Sequence, residues 1–237
     1  MTGPVSEHPA AQSRRVRSFV RREGRLTTGQ RHALENLWPR YGIAAGGGLI
    51  DAAAVFGRVA PITLEIGFGN GESLAAQAEQ QPERDFIGIE VHRPGVGHLL
   101  VEIQRRGLTN VRIFNEDAVD VLERRIPPAS LDAVQIFFPD PWHKKRHHKR
   151  RLIQPAFVRM IASRLRPGGF LHLATDWDDY AAHMVSAMAE VTELFAPEGP
   201  QPLAQRPAQR PATRFERRGE RLGHRVSDFL YRATSRP

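Results

Sequence analysis

The sequence predicts an α/β fold built on a doubly wound, mostly parallel sheet. From Pro61 onward, short apolar runs alternate with segments of helical periodicity, which is the pattern of successive β-α-β units. Glycine and acidic residues cluster directly after several of these apolar runs, at the edge where open parallel sheets bind ligands. With 237 residues, 41% of them hydrophobic, the chain can bury one sizeable core.

Each predicted element follows from its length and periodicity, short apolar runs being typical of strands and longer amphipathic segments of helices. The predicted strands are Ile62–Ile66, Phe86–Val91, Val111–Phe114, Leu131–Phe138, Phe170–Thr175 and Phe229–Arg232. The predicted helices are Glu72–Gln81, Gly95–Arg106, Ala118–Arg125, Gln154–Arg164 and Asp178–Glu190. A turn at 166–169 should lead into the fifth strand, and five prolines within 196–211 predict an irregular loop.

The first 30 residues differ in character from the rest. Six arginines lie between Arg14 and Arg25 among few apolar residues, so we predict a basic N-terminal arm over 1–30 that is poorly ordered in the free protein. Residues 31–60 are mixed, with a break at Gly46–Gly48 and a possible short helix after it. We expect residues 31–237 to form a single domain.

Composition narrows the class of protein. A net charge of +8 indicates an anionic partner, either nucleic acid or an acidic membrane surface. The absence of cysteine excludes disulfides and thiolate metal sites. No apolar stretch approaches the roughly 18 residues needed to span a bilayer. We therefore expect a cytoplasmic protein that binds no membrane and no metal, and we favour a monomer.

All three lysines of the chain lie in one short window. They are Lys144, Lys145 and Lys149, whereas the other 31 basic residues are arginine. The window follows a predicted buried strand and places six Lys/Arg within 144–151, after Asp140 and Trp142. Positive charge beside an aromatic ring suits phosphate contact and base stacking. Trp142 could serve either as a core residue beneath this loop or as a stacking platform.

A second group of residues predicts a nucleoside pocket. Glycines at 67, 69 and 71 follow the first strand, where they allow a tight turn and close approach of a ligand to the backbone. Glu90, at the end of the second strand, is placed to accept hydrogen bonds from two ribose hydroxyls. Asp117, after the third strand, can accept from an adenine amino group, although it could equally cap the next helix.

Together these features resemble the class I S-adenosylmethionine-dependent methyltransferases, which have a Rossmann-like, seven-stranded sheet. Three segments narrow the resemblance to the bacterial tRNA (guanine-N7)-methyltransferases, which methylate guanine 46 in the tRNA variable loop. They are Pro-Asp-Pro-Trp-His-Lys-Lys-Arg-His-His-Lys-Arg-Arg at 139–151, Ala-Thr-Asp-Trp at 174–177, and Thr-Arg-Phe-Glu-Arg-Arg-Gly at 213–219. The similarity extends over roughly residues 17–233.

The resemblance implies S-adenosyl-L-methionine as cofactor and tRNA as partner. It implies a cofactor site lined by Glu65, Gly67, Gly69, Glu90, Asp117 and Asp140. On the substrate side it implies Lys144, Asp176, Thr213, Arg214, Phe215 and Glu216. It implies contacts to RNA from Arg146, His147, His148, Lys149, Arg150 and Arg151.

The chemistry of methylation at guanine N7 agrees with the residues that the resemblance implies. N7 carries an in-plane lone pair and loses no proton on methylation, so no general base is required. The ring gains positive charge, which a nearby carboxylate stabilises, and Asp140 between two prolines is the first candidate. Asp176 could accept from the Watson–Crick edge of guanine. Two other classes share the fold: a nicotinamide-dependent oxidoreductase, whose glycine spacing differs, and a non-catalytic RNA-binding protein.

Overall fold

A computed structural model describes residues 24–212, 216 and 225–234 of the chain. Its centre is a seven-stranded sheet with the order β3-β2-β1-β4-β5-β7-β6. The strands are β1 (Ile62–Ile66), β2 (Asp85–Ile89), β3 (Val111–Phe114), β4 (Leu131–Phe137), β5 (Leu165–Thr175), β6 (Phe195–Pro197) and β7 (Ser227–Ala233). Strands β1 to β5 run parallel, and β7 is antiparallel to both β5 and β6. The predicted doubly wound, mostly parallel sheet is confirmed.

Eight α-helices of the described residues accompany the sheet. They are α1 (Thr28–Asn36), α2 (Trp38–Tyr41), α3 (Ala52–Phe56), α4 (Glu72–Gln80), α5 (Arg93–Arg106), α6 (Ala118–Arg124), α7 (Pro155–Arg164) and α8 (Asp178–Ala189). Their buried residues form two clusters. One joins α1, α4 and α5 to Phe86, Val111 and Ile113 of β2 and β3. The other joins α6, α7 and α8 to the remaining strands and to Ile87, Ile89 and Phe114 of β2 and β3. Burial of these apolar faces drives the assembly of the fold.

The strand order reverses beside β1. Strand β1 pairs with β2 on one side and with β4 on the other. The chain therefore builds the sheet from β1 to β3 toward one edge, crosses back to β1, and continues from β4 toward the other edge. The loops after these strands leave in different directions and open a crevice at the carboxyl ends, which is where ligands bind in such sheets.

The structure differs from the sequence prediction at the fifth strand. The predicted turn 166–169 lies within β5, because pairing with β4 passes from Leu131↔Leu165 to Ala133↔Phe170. The extra residues form a bulge in which Gly168 takes a φ of 77°. Glycine adopts this conformation without the steric cost that a side chain would add.

The proline-rich stretch is also more ordered than predicted. Its first residues form β6, a short edge strand paired with β7, where the prediction over 196–211 gave only a loop. The rest is irregular, but Arg210 near its end is almost fully buried. An edge strand tolerates Pro197 because one of its two sides needs no ladder hydrogen bond.

The first described helix begins inside the predicted arm. Thr27 caps α1 by accepting from the backbone N–H of Gln30, whose side chain in turn accepts from the N–H of Thr27. Helix α1 then packs on α5, where Gly97 leaves room for Gln30. The arm up to residue 23 lies outside the described residues. In the described part of the chain, no helix is long and apolar enough to cross a membrane.

Candidate functional site

A cavity of about 310 Å³ opens at the carboxyl ends of β1, β2, β3 and β4. This volume lies within the usual range of small-molecule sites. Its walls combine apolar side chains with acidic ones, and they are formed by Ile66, Gly67, Ile89, Glu90, Val91, His92, Glu116, Asp117, Ala118, Phe137, Phe138, Pro139, Asp140 and Leu152. The cavity thus lies at the crevice where the strand order reverses.

The floor of the cavity is the glycine turn after β1. Gly67, Gly69 and Gly71 have φ values of 73°, 59° and 75°, a region that strongly favours glycine. A methyl group added to Gly67 or Gly69 would meet no atom within 4 Å, so open space lies above both residues. The backbone is therefore bare on the side from which a ligand would approach.

Glu90 holds this turn in place. One of its carboxylate oxygens accepts from the N–H of Gly69 at 2.9 Å, and the other accepts from Val91 and His92 at 2.7 and 2.9 Å. Each charge-assisted hydrogen bond of this kind is worth about 1.5–3 kcal/mol. Glu90 thus has a structural role, while the oxygen that accepts only from Gly69 retains a further lone pair for a ligand.

The start of α5 lies directly against the same turn. A Cβ on Gly95 would come within 2.1 Å of the carbonyl oxygen of Gly69, so only glycine fits there. Asn115 adds a bond from its side-chain amide to the carbonyl of Glu90 at 2.7 Å. The ends of β1, β2 and β3 are therefore locked to one another around the cavity.

Two further predicted acids also line the cavity. Asp117 caps α6 through a hydrogen bond from the N–H of Val119 at 2.9 Å, so it fills the capping role that the sequence left open. Asp140 is exposed at the rim, between Pro139 and Pro141. Acceptors at three neighbouring strand ends, facing bare glycine backbone, suit a ligand that carries hydroxyl and amino donors, such as a nucleoside.

Glu65 is placed differently from the other predicted cofactor residues. Its side chain is fully buried in β1 and does not line the cavity. Burial, and then the charge of Glu90, raise the pKa of Glu65 to about 8. Among the described residues, its Oε2 and the Oε1 of Gln135, its neighbour on β4, have no hydrogen-bond partner. Such unsatisfied buried atoms are rare in proteins.

The lysine-containing loop forms a 3₁₀ helix, Lys145–Arg150, beside the cavity. Lys144, Lys145, Arg146 and Lys149 are exposed there. Partial burial and then the cations around it lower the pKa of His147. The exposed side of this helix presents concentrated positive charge.

Trp142 is intermediate between the two roles that the sequence left open, which were a core residue and a stacking platform. It is half-buried, with a φ of 48°, and the Arg150 guanidinium lies 4.9 Å from its ring centroid. His147 contacts the same ring edge-on at 5.8 Å. Trp177 is half-buried against the core and stacks edge-on with His143 at 4.3 Å. Trp142 therefore contacts two side chains of the basic helix instead of standing free.

The position of Arg151 differs from the prediction that every residue of 146–151 contacts RNA. Its side chain is only 1% exposed. It donates to the carbonyl of Pro141 at 2.9 Å, pairs with Asp179, and lies over the Tyr180 ring at 4.9 Å. Since its donors point inward, Arg151 holds the Pro-Asp-Pro turn to α8 and has no surface to offer RNA. The bond from Arg151 also holds the pKa of Asp179 below its ordinary value.

The predicted substrate residues fall in three places. Lys144 is exposed and Asp176 is half-buried, directly after β5. Thr213, Arg214 and Phe215 lie outside the described residues. Glu216 is 3% exposed, and Arg210 binds both of its carboxylate oxygens, at 2.7 and 2.9 Å. Its carboxylate is thus engaged inside the protein, contrary to the expectation that it faces the substrate.

Several residues of the site were not predicted from the sequence. His92, Glu116, Phe138 and Leu152 line the cavity. Their positions next to strand ends could have suggested the first two, but Leu152 reaches the cavity only through the path of the basic loop. In the part of the chain that the structure describes, no three His, Asp or Glu side chains converge in a way that could hold a metal ion.

Known proteins resemble the chain over most of its length. Residues 59–229 match a family described as "Putative methyltransferase". A tRNA (guanine-N(7)-)-methyltransferase of Methylococcus capsulatus is 61% identical over 188 residues, which cover 78% of this chain and 81% of that protein. One of Halorhodospira halophila is 54% identical over 223 residues, covering 94% and 96%. Among solved structures, the 16S rRNA methyltransferase KamB shares the fold, with a TM-score of 0.55 at 17% identity and coverage of 80% and 96%.

The sheet order and the cavity at its switch point are those of a class I methyltransferase. Within that class, the chain belongs to the tRNA (guanine-N7)-methyltransferase family. The family predicted from the Pro-Asp-Pro-Trp, Ala-Thr-Asp-Trp and Thr-Arg-Phe-Glu segments is confirmed.

The environment of Glu65 predicts how stability depends on pH. Below about pH 4.5 the carboxyl is protonated in both folded and unfolded chains, so no charge has to be buried on folding. As the pH rises to about 8, the unfolded chain releases this proton first, so the folded state loses stability, on the order of 4 kcal/mol in total. Glu65→Gln should remove that loss.

The measurement is urea unfolding of wild type and Glu65→Gln at several pH values between 4.5 and 8.5. Because other groups titrate in both proteins, the informative quantity is the difference in unfolding free energy between them. We expect the unfolding free energy of Glu65→Gln to rise steadily relative to that of wild type across this pH range. A difference that does not change with pH would show that Glu65 is ionised in the folded protein.

Proposed function

We propose that this protein transfers the methyl group of S-adenosyl-L-methionine to N7 of guanine 46 in the variable loop of tRNA. Membership of the family supports the reaction, since its relatives are named tRNA (guanine-N(7)-)-methyltransferases. The observation that carries the proposal is the direct adjacency of an acid-lined cavity and an exposed basic helix. One suits a nucleoside cofactor, and the other suits RNA.

The cavity residues have distinct parts in holding the cofactor. Gly67 and Gly69 provide bare backbone, and Glu90 offers the remaining lone pair of its Oε2 to a ribose hydroxyl. Asp117 lies where an adenine amino group could donate to it, beside the apolar surface of Ile89 and Ala118. Glu65 lies beneath this surface, buried in β1 and out of contact with the ligand.

The reaction requires no general base, because N7 loses no proton on methylation. When bound, S-adenosylmethionine supplies a methyl group whose bond to sulfur breaks as the N7 lone pair forms the new N–C bond, moving the positive charge onto guanine. Asp140 at the cavity rim is placed to stabilise that charge, an effect worth about 3–4 kcal/mol for a well-aimed group. Asp176, after β5, would accept from the Watson–Crick edge and select guanine.

The exposed cations would bind the tRNA backbone. Lys144, Lys145, Arg146, Lys149 and the half-buried Arg150 present charge on one side of the 3₁₀ helix, while Arg151 secures that helix from within. The arginines of the arm at 1–30 would add phosphate contacts from outside the domain 31–237. We further propose that the protein acts as a monomer in the cytoplasm.

The test is methyl transfer from radiolabelled S-adenosylmethionine to unmodified tRNA transcripts by the purified protein. Aniline cleavage or mass spectrometry then locates the modified base. We expect one N7-methylguanine, in the variable loop, and none in a transcript whose guanine 46 is replaced by adenine. Methylation at another atom or another loop, or no methylation, would refute the proposal.

Asp140 provides a test of the electrostatic part of the reaction. Asp140→Asn keeps the shape of the side chain but removes the charge that stabilises the cationic ring, so the single-turnover rate should fall more than tRNA affinity does. We expect a loss of at least about tenfold, or roughly 1.4 kcal/mol in activation free energy. Rates and tRNA dissociation constants are measured on the same preparations. A rate close to wild type would leave Asp140 with a structural role alone.

If Lys144 acts as a compact charge beside the reacting guanine, arginine should not replace it, whereas arginine should replace Lys149. Lys144 lies close in sequence to Asp140, and an arginine there could pair with that carboxylate in bidentate fashion and draw it from the guanine. Lys149→Arg, farther along the same helix, keeps the charge at an exposed position and serves as the matched control. We expect Lys144→Arg to slow single-turnover methylation and Lys149→Arg to leave it near wild type. Equal rates would mean that only charge matters at Lys144.

A further inference from the structure

We infer that Arg210 is a positioning residue for the tRNA substrate. Its buried guanidinium joins Glu216 to β7 and to the aromatic wall of the cofactor cavity. This inference rests on the proposed function and deepens it, because it assigns a role in tRNA binding to Arg210, near the end of the proline-rich stretch 196–211.

The Arg210 side chain is completely buried between two carboxylates. Its Nε and Nη2 donate to the two oxygens of Asp228 at 2.7 and 2.8 Å. Its Nη1 and Nη2 donate to the two oxygens of Glu216 at 2.7 and 2.9 Å. Both pairs are bidentate, an arrangement that fixes the planes of all three groups relative to one another.

The same cluster reaches into the centre of the sheet. Asp228 lies on β7 opposite Ala174 of β5, and its Oδ1 also contacts Nε2 of His172 at 2.7 Å. The ring of His172 packs edge-on against Phe137 at 4.9 Å. The position of Glu216 is therefore coupled through buried contacts to the end of β5, after which Asp176 follows.

Arg210 also contacts the wall of the cofactor cavity. Its guanidinium carbon lies 5.7 Å from the ring centroids of both Phe137 and Phe138. Both phenylalanines line the cavity, and Phe138 has a φ of 52°, which directs the chain toward Asp140. One arginine thus touches the strand end that leads to the reacting group and holds the carboxylate of Glu216, whose contact with substrate the family resemblance implies.

Stability alone is a weak explanation for this arrangement. Replacing a buried ionic cluster by apolar residues is often neutral or stabilising, so such clusters are better understood as fixing one geometry. Arg206 offers a contrast at the same carboxylate. It makes one contact to Glu216, at 3.2 Å, and its side chain is 41% exposed. The pairing by Arg210 determines the orientation, and the contact from Arg206 adds little to it.

The test compares Arg210→Lys with Arg206→Lys. Both variants keep the charge, so general attraction to tRNA is unchanged, but lysine cannot make two bidentate pairs. For Arg210→Lys we expect kcat/KM for tRNA to fall at least about tenfold, with S-adenosylmethionine affinity within about threefold of wild type. For Arg206→Lys both quantities should stay within about threefold of wild type. Calorimetry gives the cofactor affinity, and circular dichroism confirms folding.

Asp228→Asn serves as a second variant, since it is isosteric and leaves the pair between Arg210 and Glu216 intact. It decides the question if Arg210→Lys does not fold, and it should show the same selective loss toward tRNA. A folded variant that methylates tRNA like wild type, or loses cofactor affinity in proportion, would overturn the inference. So would failure of both variants to fold, which would make the cluster a support of the whole domain. Absence of methylation by wild type would instead refute the proposed function.

Discussion

The site depends on one carboxylate. Glu90 ends the second strand and binds three backbone N–H groups, one from the glycine turn after β1 and two from the approach to α5. Without it, the turn would keep the bond from the N–H of Gly67 to the carbonyl of Ile89 but would lose the bond at Gly69, whose carbonyl lies against Gly95 of α5. The cavity floor, the reversal of strand order and the position of α5 all meet at this group.

The basic residues divide into two kinds with different physical roles. Arg151 and Arg210 are buried and bind carbonyl and carboxylate oxygens. Arg151 fixes the turn that carries Asp140, and Arg210 fixes the side chain of Glu216. The lysines and Arg146 stay exposed on the 3₁₀ helix, free to meet an anionic partner. Guanidinium suits the first role because its planar fork makes several directed bonds, and the compact ammonium of lysine suits the second. The net charge of the chain conceals this division.

Periodicity and turn chemistry were sufficient to predict the parallel sheet and most of its helices. They also placed Glu90 and Asp117 at one edge, because acids that follow parallel strands meet there, whereas Asp140 was expected at the cofactor site from the resemblance to the family. The bulge in β5 and the short strand β6 were missed, since both depend on pairing with distant partners. The inward direction of Arg151 and the burial of Glu216 depend on contacts with α8 and Arg210, which spacing along the chain does not reveal. Glu65 was expected at the cavity, but its strand position turns it into the core.

The most direct test of the role of Glu90 combines Glu90→Gln with amide hydrogen exchange and calorimetry. Glutamine keeps the size of the side chain but loses the charge and one of its two acceptor oxygens, so one set of backbone N–H groups loses its partner. The account predicts faster exchange at Gly69 or at 91–92 and a loss of S-adenosylmethionine affinity of about 1.5–3 kcal/mol, with the sheet still folded. Unchanged exchange at these amides together with unchanged affinity would contradict it.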